Sequence, residues 1–117
     1  MAARELTTAE RAVLVELLGR DFAGADELRR QLAAALVEPS CQCGCGSIRF
    51  VFPDEPALAR SESPNPVPVA VTILAADRSP VGGIVVFLRD GLLCDAEVFS
   101  FLSPLPWPNP AWIQWDE

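Results

Sequence analysis

The sequence predicts an α+β fold: two N-terminal helices laid on an antiparallel sheet of three to five strands, followed by an extended, Pro- and Trp-rich C-terminal tail. Three observations carry that reading. Apolar residues recur at helical spacing up to residue 36, they alternate with polar ones beyond it, and the eleven prolines fall after residue 38. A chain of 117 residues has room for one core. It is therefore expected to form a single domain with a helical hairpin (1–36), a sheet (37–101) and a tail (102–117).

The first helix is expected over residues 6–18, LTTAERAVLVELL. Thr7 with Glu10 three residues on forms a capping box, in which each side chain satisfies a backbone N–H at the other. Val13, Leu14, Leu17 and Leu18 make one apolar stripe, and Gly19 ends the helix. A second helix is expected from about Ala25 to Ala35. Asp26 and Glu27 stand in its first turn, where the macrodipole favours acids, and Ala25, Leu28, Leu32 and Leu36 line its apolar side. Arg29 and Arg30 should face water.

Past residue 36 the period changes. Val37–Ser40 and Ser47–Phe52 read as short strands joined by CQCGC, and Pro53–Pro68 reads as a mobile loop. Val67, Val69, Val71 and Ile73 alternate in a strand reaching about Ala76. Residues 76–83 (ADRSPVGG) read as a turn, and Ile84–Arg89 as a central strand. Asp90-Gly91 is the pair that a two-residue type I′ hairpin demands. In the next strand Leu92, Cys94, Ala96 and Val98 should face inward, with Asp95 and Glu97 outward. The tail SPLPWPNPAWIQWDE is too rich in proline for a helix or an inner strand, so it should run extended across the fold.

Composition narrows the chemistry. The chain has no His, and all nine of its basic residues are Arg. That removes the commonest general base, the Ser–His and Cys–His pairs, Schiff-base lysines and a P-loop clamp. The residues therefore point away from an enzyme. A net charge of −7 opposes both nucleic-acid phosphates and an anionic membrane surface. The chain holds no long apolar run, and its N-terminus MAARELTTAE lacks a signal peptide's apolar stretch. A cytoplasmic protein with reduced thiols is expected, and the Ala- and Arg-rich, Lys-free composition suggests a high-GC bacterium.

Cys41, Cys43 and Cys45, in Cys41-Gln42-Cys43-Gly44-Cys45-Gly46, form the least random stretch. Three uses compete. The thiols are buried apolar residues of a tight hairpin, or soft ligands for Zn²⁺ or Cu(I) with Cys94 as a fourth, or a redox pair for which Cys41–Cys45 is the easier bridge. In a straight strand, residues two apart lie ~6.6 Å apart, so convergence on one metal requires the backbone to curl at Gly44 and Gly46. On its own, Cys94 reads as core packing. Asp95 and Glu97 are a paired-carboxylate candidate whose plainer reading is a solvated strand face. Gly82-Gly83 lacks the helix that a phosphate loop needs. Trp107, Trp112 and Trp115, set among prolines, are the candidate contacts for a partner, with packing inside the fold as the rival use.

The segments Leu6–Arg11, Asp21–Leu32 and Cys41–Cys45 with Ser47-Ile48 resemble small uncharacterised actinobacterial proteins, over most of the chain up to the Asp90-Gly91 hairpin. The resemblance implies an intracellular single-domain protein with no assigned activity and transfers no catalytic residue. Cys94 and the Trp-rich tail stand outside the pattern. The leading expectation is a non-enzymatic protein-interaction or adaptor domain that self-associates or binds a protein partner. The alternative is a thiolate metal-binding or redox module centred on the cysteine knuckle.

Overall fold

A computed structural model describes residues 3–40 and 45–115. Its elements follow from the local signals above. Helix α1 spans Thr8–Leu18, and the capping box at its start is complete: Glu10 N–H donates to Thr7 Oγ1, and Thr7 N–H donates to Glu10 Oε1. Helix α2 spans Ala25–Ala34. Arg29, on its exposed side, turns back to donate from Nε to the Leu18 carbonyl at 2.8 Å. A cation thus satisfies the C-terminal end of α1, whose last turn carries none of its own.

The strands are β1 (Leu36–Pro39), β2 (Ile48–Val51), β3 (Val71–Leu74), β4 (Pro80–Arg89), β5 (Leu92–Ser100) and β6 (Ile113–Trp115). They form one sheet in the order β1-β2-β5-β4-β3-β6, with every neighbouring pair antiparallel. The fold class is the expected α+β, with six strands instead of three to five. The additional strand comes from the tail. Ile113-Gln114-Trp115 is its proline-free stretch, able to donate along a ladder, and it pairs with Val71–Ile73 at the sheet edge.

Both helices cover one face. Val13, Leu14, Leu17, Leu18, Leu28 and Leu32 share a single core cluster with Val37, Ile48, Phe50, Ile84, Val86, Ala96 and Val98. Gln31, 1% exposed, is the polar residue at the centre of this packing. Its Nε2 donates to the Ala59 and Gly91 carbonyls, and its Oε1 accepts from Leu93 N–H, all at 2.9 Å. One amide therefore ties α2, the proline-rich loop and the β4–β5 turn together. That turn is the expected two-residue hairpin: Arg89 pairs with Leu92, and Asp90 and Gly91 take φ of 52° and 78°.

Four expectations need correction. The proline-rich loop is anchored, because Asn65 accepts from Leu88 N–H and donates to the Leu88 carbonyl, and Val67 N–H donates to Val86. It runs alongside β4 before β3 begins. The turn of 76–83 is shorter than predicted, since β4 already begins at Pro80. Gly82 and Gly83 belong to the strand, and Gly83 sits opposite Phe99, whose ring lies where a Cβ would be. Cys94 is not on the inward register. A β-bulge between Phe87 and Leu88 pairs them with Asp95 and Leu93, leaving Cys94 as the extra residue. Leu93 takes the core position, and Cys94 is half-buried beside Asp95.

Candidate functional site

The period of a strand places alternate side chains on opposite sides. The residues left over by the core therefore define the outer face of the sheet. Across it runs a cross-strand row: Glu38 of β1 opposite Arg49 of β2, Arg49 opposite Asp95 of β5, and Asp95 opposite Phe87 of β4. Arg49 lies 3.7 Å from Glu38 and 3.8 Å from Asp95. Those separations give ion pairing without hydrogen bonding. Asp95 Oδ1 is shielded from solvent and has no hydrogen-bond partner among the described residues. Glu97, one step further along β5 on the same face, is exposed and has no ion-pair partner among them.

Beyond Glu97 the face turns apolar. Phe99 is 38% exposed, Phe101 62% and Leu102 97%, and the Phe99 and Phe101 rings lie 6.1 Å apart, tilted by 59°. This patch adjoins a groove of about 590 Å³ lined by Cys45, Arg49, Asp95, Glu97, Ser100 and Leu102 among others. Among the described residues the helices cover the other face of the sheet, and three accessible large side chains stand at the end of β5 and just past it.

Of the predicted site residues, Cys41 and Cys43 lie outside the described residues. Cys45 is half-buried at the end of this groove, and its Sγ–H donates to Ser47 Oγ at 3.3 Å. Ser47 is itself buried, with its hydroxyl accepting from Val98 N–H at 2.8 Å. Cys94 lines a second depression of about 560 Å³ with Arg60 and Arg89. Its thiol donates to Asp95 Oδ2 at 3.4 Å. Burial pushes that thiol up, and the bond to Asp95 and its charge push it further. Cys94 is therefore a protonated, weakly nucleophilic thiol at neutral pH. Asp95 and Glu97 do share one strand face, and the nearest cation to Asp95 is Arg49.

The tryptophans divide. Trp107 Nε1 donates to the Ala9 carbonyl at 3.2 Å, and Arg20 stacks on Trp115 at 4.9 Å from the ring centre. Both rings pack against the core, while Trp112 is 38% exposed. The tail explains Gly46. Gly46 N–H donates to the Leu105 carbonyl at 2.7 Å, and a Cβ there would meet Trp107 N at 2.0 Å. Only glycine lets the tail backbone pass so close. The sequence reading assigned Gly46 to curling the sulfurs inward. It missed the Phe99–Leu102 patch, although PheSerPheLeu next to a proline-rich segment carried the signal: apolar residues continuing past the end of an alternating strand.

No helix among the described residues is long and apolar enough to cross a membrane, and no group of three metal-ligating side chains occurs among them. Compared with family models, curated proteins and solved structures, the chain matches none.

Proposed function

We propose that the protein is a non-enzymatic protein-interaction domain whose contact surface is the outer face of the sheet, centred on Phe99, Phe101 and Leu102. The observation that carries this reading is the exposure of Phe101 and Leu102, 62% and 97%, at the edge of a groove on the uncovered face. Large apolar side chains beside a polar groove are the make-up of interface centres, and aromatic anchors supply most of the binding energy in such surfaces. The lack of His and Lys in the whole chain supports a role without acid–base or Schiff-base chemistry.

The test uses the intact chain and a variant carrying Phe101→Asp and Leu102→Asp as paired baits, together with light scattering of each. The reading expects the wild type to self-associate or retain a protein that the variant releases, with matched circular dichroism. A strictly monomeric wild type whose captured proteins are all retained by the variant would defeat it.

A second reading is supported by a different observation. Ser40 N–H donates to the Ser47 carbonyl at 3.2 Å, so the ends of the CQCGCG segment are held together by the β1–β2 ladder. On this reading Cys41, Cys43 and Cys45 supply thiolates for Zn²⁺ or Cu(I), or a redox pair among them. Elemental analysis of protein purified without added metal decides this. Less than about 0.2 metal per chain removes the metal form, because a structural thiolate site retains its ion through purification. Thiol counts under native and denaturing conditions decide the redox form.

A further inference from the structure

Charge on the outer face points to what covers it. Arg49 is about half exposed, and its two acidic neighbours sit at 3.7 and 3.8 Å, beyond good hydrogen-bond geometry. Its guanidinium therefore keeps N–H donors facing outward. Glu97 stands on the same face of the adjacent strand, diagonal to Arg49 because Arg49 pairs with Asp95, and is exposed without an ion-pair partner among the described residues. A donor and an acceptor side by side on one face are a self-complementary pair. When a second copy is turned over about an in-plane twofold axis running between them, Arg49 of each copy meets Glu97 of the other.

We infer that the outer face binds a second copy of this chain, with reciprocal Arg49–Glu97 contacts beside the buried Phe99, Phe101 and Leu102. This rests on the interaction reading above and names its partner. The isologous arrangement uses the apolar patch of both copies at once, and it gives Arg49 hydrogen bonds that no described residue of its own chain provides. The net charge of −7 opposes association. At about 0.15 M salt, interactions between exposed charges farther apart than ~8 Å are largely screened.

Sedimentation velocity on the full chain, over a wide concentration range at that salt, reads the equilibrium. The decisive samples are Arg49→Glu alone, Glu97→Arg alone, and the two mixed in equal amounts. Each variant alone opposes like charges at both contacts and should weaken dimerisation by about tenfold or more. The mixture restores both contacts, one with its signs exchanged and the other as in the wild type, so it should form a heterodimer within about threefold of wild-type affinity. Arg49→Glu also brings three acids together within one chain. If that variant fails to fold, Glu97→Arg alone, which adds no acid, must still weaken the dimer. A wild type that stays monomeric at the highest concentration overturns the inference. So does a mixture no stronger than its components. If the Phe101→Asp/Leu102→Asp bait still loses a captured protein while the wild type stays monomeric, the inference falls and the interaction reading stands. If the wild type dimerises and the Asp variant dimerises equally well, the apolar patch is not the contact, and both fall.

Discussion

The sheet has two faces cut from the same strands, and they differ in what they touch. On the inner face Ile84, Val86, Ala96 and Ile48 are at most 2% exposed, packed under α1 and α2. One residue along the same strands, Arg49, Glu97 and Phe99 remain accessible. Because side chains alternate along these strands outside the bulge at Cys94, one face can be fixed by folding while the other varies with little cost to the core. The tail sharpens the contrast: its tryptophans serve the inner side through Trp107 and Trp115, while Phe101 and Leu102 at its start stay with the outer side.

Inner-side substitutions should therefore cost stability, and outer-side ones should cost association. The largest effect is expected at Gln31. Gln31→Ala strands Leu93 N–H and two carbonyls in the interior, which should destabilise by about 3 kcal/mol or more in urea unfolding. Gly46→Ala forces the Trp107 backbone away and should cost about 1–3 kcal/mol, with a red shift of tryptophan emission as the tail lifts. Next comes Thr7→Ala, which removes the N-cap bond for about 1 kcal/mol. Phe101→Ser with Leu102→Ser should shift stability by less than ~0.5 kcal/mol, the usual range for surface positions, while abolishing association. A large loss of stability there would merge the two faces and break the comparison.

Acid should act through the inner side as well. Burial pushes the Glu10 carboxyl up, but hydrogen bonds from Arg4 and Thr7 outweigh it and hold the group below its ordinary range. A carboxyl held low in the folded state adds stability above its unfolded pKa, about 4.3, and loses it as pH falls through the lower folded value. Urea midpoints measured from pH 6 downward should fall in that window, less steeply in Glu10→Gln. Arg4 also pairs its backbone with Val37 at the outer edge of β1, so the same residue covers a sheet edge and anchors the helix cap.

Much of the fold was legible because its signals are local. A capping box, a helical stripe and Asp-Gly between apolar runs each specify geometry within a few residues. What escaped was set by distant neighbours. The bulge that moves Cys94 off the core register depends on how β5 meets Phe87 and Leu88 across the hairpin. Gly46 reads as a turn residue until the tail is seen to cross it. Ile113–Trp115 becomes a strand only because β3 offers an unpaired edge. For the site, sequence pattern drew attention to the cysteines, whereas the Phe99–Leu102 patch emerged only once the helices were seen to cover a single face.

The most direct test of two faces with two roles is hydroxyl-radical oxidation of the wild-type chain, dilute and concentrated, read residue by residue. The account predicts that Phe99, Phe101 and Leu102 become protected as concentration rises, while Val15 on α1 and Trp112 in the tail, exposed at 55% and 38%, keep their labelling unchanged. Unaltered oxidation at all five positions, or protection at Val15 and Trp112 instead, would contradict it.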